Sequence, residues 1–278
     1  MKYLLFLMLS LLSACSQTVP RSDSGASAKP AAATDDATGT RKIADGNKDM
    51  PAGVNMPDCK PAQGRQHIFL IHGTLHSSQL SFGALAPRLA KAGHCLHAVD
   101  YGALTPSDAL KARKPVSENV REVAQAIDRV LKQTGQSQID LVGFSQGGLI
   151  GFYLLRDGGL GKRVRQFTAI APSVRGTTSE GALRFNQTGA CPACADQFHQ
   201  SAFMREFTAR PFTVEGVRYT VVATRDDWIV TPPESQFVRE PGVRNVLVQD
   251  RLRGKSISHV GLMYDPEAVE LISGLINQ

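Results

Sequence analysis

With 278 residues, 42% of them hydrophobic, the chain is long and apolar enough to bury a large core, which excludes a wholly disordered protein. Its net charge of +6 comes from 31 Lys and Arg against 25 Asp and Glu, scattered without a basic block or interleaved aromatics. A dedicated nucleic-acid surface is therefore excluded, while a mild attraction to anionic surfaces is expected.

The chain begins with Lys2 and an apolar run from Leu4 to Leu12. A charged start and a short apolar stretch form a secretory signal, too short for a stable membrane span. The run ends in Leu12-Ser13-Ala14-Cys15, which resembles the bacterial lipobox, whose cysteine becomes the lipidated first residue of the mature chain. Residues 1–14 are expected to be a signal peptide and Cys15 a lipid anchor to a membrane. Ordinary cleavage after Ala14, leaving a free cysteine, is the alternative. Ser16, where an Asp would retain the chain at the inner membrane, resembles an outer-membrane sorting signal. Residues 15–57 are rich in Ser, Ala, Thr, Asp, Gly and Pro, the composition of a flexible tether. The folded domain is expected over 58–278.

Strand and helix signals then alternate. Residues 67–71 read as a strand ending in His72-Gly73-Thr74. Residues 80–92 carry Phe82, Leu85 and Leu89 at helical spacing, with Pro87 as an irregularity. Residues 94–99 form a second strand. From Ser117, a plausible N-cap, Val120, Val123, Ala124, Ile127, Val130 and Leu131 define one helix face, and Gly135 stops the helix. Leu141 to Phe144 read as a buried strand, followed at once by the helical run Leu149 to Leu155. Further strands are expected at 167–171, 219–223 and 245–248, and a last helix from Asp265-Pro266-Glu267. Such alternation predicts an α/β fold: a mostly parallel sheet with helices on both faces and functional groups at the strands' carboxyl ends. Residues 173–216 interrupt the rhythm and are expected to form a small cap or lid. Phe185, Phe198, Phe203, Met204, Phe207 and Phe212 could line an acyl pocket there or simply pack the cap onto the body.

If Cys15 carries lipid, Cys59, Cys95, Cys191 and Cys194 remain, an even number that suggests two disulfides in an oxidising compartment, with three possible pairings. Cys191-Pro-Ala-Cys194 lacks a second C-x-x-C to complete a zinc site and a thioredoxin-like context. A local Cys191–Cys194 disulfide is therefore favoured, with Cys59–Cys95 as the other, and no metal is expected.

The strand at 141–144 runs into Gly143-Phe144-Ser145-Gln146-Gly147, a G-x-S-x-G pattern between strand and helix. That context lifts the Ser145 hydroxyl off a strained turn as a candidate nucleophile, with glycines where neighbours pack too closely for a Cβ. Two histidines follow it. His199 lies in the expected cap, where a solvated or structural role fits; His259 lies after the last strand, where a general base can reach Ser145. The acid should follow the strand after the cap. In folds of this class the acid tends to be followed three positions on by an aliphatic residue turning back into the domain, with a Pro close behind; Asp227, with Val230 and Pro232, fits this better than Asp226. Asp226 is read as a turn or rim carboxylate. Backbone N–H groups of Thr74 and Gln146 are the candidate oxyanion donors, with the Thr74 hydroxyl as a possible third. His72 is read as a residue that orders its loop, and His76 as part of the rim.

Leu70-Ile71-His72-Gly73-Thr74, Ser81-Phe82-Gly83-Ala84-Leu85-Ala86-Pro87, Ala98-Val99-Asp100-Tyr101-Gly102, Gly143-Phe144-Ser145-Gln146-Gly147-Gly148, Asp227 to Pro232 and His259-Val260-Gly261-Leu262 occur in this order. The set resembles the bacterial class 2 lipases of the α/β-hydrolase superfamily, from about residue 58 to the end. That resemblance implies hydrolysis of acyl esters through a Ser145–His259–Asp227 triad without metal or cofactor, and a lipid or small-molecule ester as substrate. It also supports Thr74 and Gln146 as oxyanion residues, and the cysteine positions look similar too. The apparent lipid anchor, and Arg225-Asp226 before the acid, depart from the usual secreted enzyme. A (lyso)phospholipase or acyltransferase is the enzymatic alternative, and a non-catalytic surface lipoprotein of the same fold the non-enzymatic one.

Overall fold

Short runs of aliphatic, β-branched and aromatic residues pair, among the described residues, into one parallel sheet. They are β1 (His67–Ile71), β2 (Cys95–Ala98), β3 (Ile139–Phe144), β4 (Val164–Ile170), β5 (Arg218–Ala223) and β6 (Val243–Leu247), in the spatial order β2-β1-β3-β4-β5-β6. The computed structural model describes residues 49–181, 184 and 189–278. The expected signal peptide, the Cys15 anchor, most of the tether and Phe185 lie outside the described residues.

A parallel sheet is covered on both faces, so its strands read as unbroken apolar runs. Successive residues still divide between two cores. Phe69, Ile71, Leu141, Phe167 and Val221 face one, closed by α3 (Val116–Thr134) and α4 (Gln146–Arg156). Ile68, Leu70, Val142, Ile170 and Val222 face the other, closed by α1 (Ser78–Phe82), α2 (Leu85–Lys91) and a C-terminal helix (Pro266–Ile276). The single helix expected over 80–92 is thus two, separated at Gly83 and Ala84. Pro87 is the third residue of α2, in a turn whose N–H groups have no intrahelical acceptor, so its missing N–H costs nothing there.

The helix expected to be capped by Ser117 starts one residue before it, at Val116. Its cap comes from far along the chain: Val116 N–H donates to Asp196 Oδ2 at 2.8 Å. A carboxylate there satisfies an orphan donor and complements the helix dipole. Gly135 ends this helix with φ 68°, as expected, and Asp265 caps the C-terminal one.

Packed chain also begins before residue 58. Val54 is buried and pairs with Leu96, and the Asn55 amide both accepts from Ala98 N and donates to Ala98 O. This side chain satisfies backbone groups on the outer edge of β2 that would otherwise invite another strand. Cys59 and Cys95 are joined beside it, 36 residues apart in sequence. Closing a loop of that size stabilises by roughly 4 kcal/mol through the unfolded chain. Cys191 and Cys194 form the second disulfide, across the first turn of α5 (Pro192–Asp196).

The segment expected as a cap packs onto the body. In α6 (Ala202–Thr208), Met204 and Phe207 are buried in the first core, and Phe203 and Phe207 stack on Tyr153 of α4. Phe212 packs against Phe152.

Candidate active site

β3 ends at Phe144 and α4 starts at Gln146, so Ser145 alone turns strand into helix. It does so at φ 56° and ψ −118°, a conformation that costs an L-residue about 1–3 kcal/mol. Backbone bonds hold it there: Ser145 N donates to Ile170 O at 2.9 Å, and Ser145 O accepts from Gly148 N at 2.9 Å. The flanking glycines are steric necessities. A Cβ at Gly143 would lie 2.3 Å from Gly147 O, and one at Gly147 only 1.9 Å from Ile71 O.

His259 begins the turn that leads to the C-terminal helix. Its Nδ1 lies 2.6 Å from Asp227 Oδ2. A carboxylate can only accept, so Nδ1 carries the proton and Nε2 is left as the basic nitrogen. The Asp227 carboxyl is buried, and its other acceptor sites are filled by Ile229 N, Val230 N and Gln236 Nε2, each at 2.8 Å. The two amides belong to the turn immediately following, which also buries the Val230 side chain. Asp226 points elsewhere: its Oδ2 accepts from Ile257 N at 3.0 Å and Gln249 Nε2 at 3.2 Å, bracing the segment that leads to His259.

A cavity of about 350 Å³ opens over the elbow. Its walls include Ser145, His259, Thr74 and His76, with Trp228, Ile229, Val230 and Val260 supplying apolar surface. Asp227 stands behind His259, outside the cavity wall. Among the described residues no hydrogen bond joins Ser145 to His259; such contacts commonly tighten only when substrate is bound.

Two backbone donors stand open near Ser145. Neither Thr74 N nor Gln146 N donates to a protein acceptor among the described residues. The Gln146 side chain turns inward, fully buried, where its Nε2 donates to Thr74 Oγ1 at 2.8 Å and to Ala112 O at 3.1 Å. Gln197 Nε2 donates to the same Thr74 oxygen at 2.9 Å. A hydroxyl has two acceptor sites and one proton; with both acceptor sites filled, the Thr74 proton is free to be given away.

His72 is fully buried beneath this loop. Its Nδ1 bonds Gly73 O at 3.0 Å, its Nε2 accepts from Tyr101 N at 3.2 Å, and the Tyr101 hydroxyl donates to His72 O at 2.7 Å. Burial pushes its pKa down to about 4, so it is a neutral strut between β1 and the loop after β2. His199 backs the turn at Gly176, its backbone N donating to Thr177 O. None of Phe198, Phe203, Met204, Phe207 and Phe212 lines the cavity over Ser145; Met204, Phe207 and Phe212 are buried in the first core and Phe203 packs against it. Gln197, Gln236 and Asn119, whose Nδ2 donates to Gln146 Oε1 at 2.8 Å, were not visible in sequence. Amide side chains that converge from distant segments leave no local pattern. Among the described residues no group of three or more His, Cys, Asp or Glu comes together as a metal site, and no helix is long and apolar enough to cross a membrane.

Residues 66–190 match the family described as alpha/beta hydrolase fold. No curated protein matches the chain. Among solved structures it is similar to lipase B of Aspergillus fumigatus, at 21% identity and a TM-score of 0.63, covering 78% of this chain and 53% of that one. The chain thus spans about half the length of that enzyme. It is also similar to the mature lipase BlEst2 of Bacillus licheniformis, at 15% identity, a TM-score of 0.60, and 78% and 94% coverage. Est1E of Butyrivibrio proteoclasticus, solved with ferulic acid, follows at 16% identity, a TM-score of 0.54, and 80% and 92% coverage. At such identities the likeness speaks for the fold: the chain has the α/β-hydrolase fold.

Proposed function

We propose that the chain is a serine carboxylic-ester hydrolase. One observation carries this reading: a serine on a strained elbow shares an apolar cavity with a histidine whose Nδ1 is held by a buried, four-fold hydrogen-bonded aspartate. Nothing in packing alone requires that combination.

In this mechanism Ser145 Oγ attacks the ester carbonyl while His259 Nε2 takes its proton. The carbonyl oxygen becomes an oxyanion held by Thr74 N–H, Gln146 N–H and the Thr74 hydroxyl. Each such donor is typically worth about 3 kcal/mol in the transition state. His259 then returns the proton to the leaving alcohol, and the acyl group stays on Ser145. A water, deprotonated by His259, releases the acid and restores the serine. Asp227 keeps Nδ1 protonated throughout and stabilises the imidazolium. Acyl esters are the substrate class favoured by the largely apolar walls and by the lipid anchor expected at Cys15.

The test is Ser145→Ala assayed across p-nitrophenyl esters of increasing chain length. Activity should fall to background at every length with an unchanged thermal midpoint, and a fluorophosphonate probe should label the parent chain at Ser145 only. A variant that keeps its esterase activity would sink the assignment.

A further inference from the structure

His76 looks like rim in the sequence, yet its surroundings give it a defined chemistry. Its ring lines the cavity, tilted against Phe144 with centroids 5.8 Å apart, and His259 packs on the same phenyl ring at 4.9 Å. The two imidazoles thus line one cavity and both border on Phe144.

The tautomer of His76 is set by Ser81. Ser81 is fully buried, and its Oγ accepts from Gly73 N at 3.2 Å and lies 3.2 Å from His76 Nδ1. Among the described residues Nδ1 is the only acceptor within reach of the Ser81 proton. If Nδ1 were itself protonated, the buried hydroxyl would be left without an acceptor. Ser81 therefore donates, Nδ1 accepts, and Nε2 carries the hydrogen. That Nε2–H meets no protein acceptor among the described residues. Burial and the neighbouring His259 both lower the His76 pKa, which keeps the ring neutral and the tautomer defined.

Resting on the ester-hydrolase reading, the placement of the alcohol follows. His259 must protonate the leaving alcohol, so the alcohol lies beside His259, in the cavity that His76 also lines. We propose that His76 determines specificity for the alcohol half of the ester: its Nε2–H donates to an oxygen on the leaving alcohol other than the ester oxygen. The site then favours esters of oxygen-bearing alcohols, such as glycerol and other polyols, over plain alkyl esters of the same acid.

The experiment compares kcat/KM for glyceryl 1-monobutyrate and propyl butyrate, which share an acyl group and a three-carbon alcohol. The unmodified chain should prefer the glyceryl ester. In His76→Phe that preference should fall by about fivefold, the worth of one hydrogen bond, beyond any loss common to both esters. His76→Gln, which can still donate, should retain most of the preference. Parity between the two esters in the unmodified chain overturns the inference without any variant. An unchanged ratio in His76→Phe, which equal losses on both esters would give, overturns it too. Both outcomes leave the ester-hydrolase reading standing. If the unmodified chain cleaves neither ester and Ser145 is not labelled by a fluorophosphonate, that reading falls and this inference with it.

Discussion

Asp226 and Asp227 are adjacent, equally acidic in sequence, and opposite in what they touch. Asp227 Oδ2 meets His259 Nδ1, while Asp226 Oδ2 holds Ile257 N, two residues before that histidine. Replacing Asp227 by Asn keeps the shape but lets an amide face Nδ1, which favours the wrong imidazole tautomer. We expect Asp227→Asn to lower kcat by roughly 10³- to 10⁴-fold. Asp226→Asn retains a carbonyl oxygen for Ile257 N and should cost about tenfold or less in kcat, with a small loss of stability. A larger loss at 226 than at 227 would reverse the assignment of the acid. The spacing that singles out Asp227 in the sequence is local: its carboxylate accepts from the amides of the next turn, Ile229 N and Val230 N. Gln236 and Gln197 were not legible, since each reaches its partner across a tertiary contact.

At the scale of elements, the strands and the elbow could be read because their apolar runs are local and continuous. The split between α1 and α2 and the start of α3 could not. The second depends on Asp196, 80 residues away, and no periodicity encodes a cap delivered from that distance. The phenylalanines of the expected cap leave two readings open in the sequence for a related reason. A run rich in phenylalanine says that something is buried, not what it is buried against. Phe207 decides the matter: it is buried, stacks near Phe203 and Tyr153, and carries the Arg156 guanidinium 4.4 Å above its ring. Phe207→Ala should destabilise by roughly 3–5 kcal/mol yet leave the ranking of acyl chain lengths unchanged. Trp228, on the cavity wall but 67% exposed, should behave in the opposite way. Trp228→Ala should change KM for long-chain esters and move the unfolding midpoint little. A shifted chain-length preference in Phe207→Ala would restore the acyl-pocket expectation.

For the whole molecule, the histidines set a common direction. His67, His72, His94 and His97 all have pKa values lowered, chiefly by burial, with His72 and His97 near 4. His67 and His97 stack at the sheet edge, 2.9 Å apart between Nδ1 and Nε2, and His67 adds to the burial that disfavours charge on His97. A base whose folded pKa is depressed holds fewer protons in the native state than in the unfolded chain. Stability is therefore fully present above the unfolded value of about 6.5 and is lost as pH falls towards the folded value of about 4. At fully buried His72 the shift corresponds to on the order of 3 kcal/mol, and the others add in the same direction. The carboxylates act in a lower window. Glu122, Glu240 and Asp265, held below their usual values in the folded state, lose their contribution only as pH falls further. Burial raises Asp140 and Asp196, which works the other way. Denaturant unfolding followed from pH 8 to pH 4 should give a flat midpoint down to about 7, then a steep decline between about 6.5 and 4. Equal midpoints at pH 7.5 and pH 5 would mean that these buried imidazoles are protonated in the folded chain without cost, contrary to their burial.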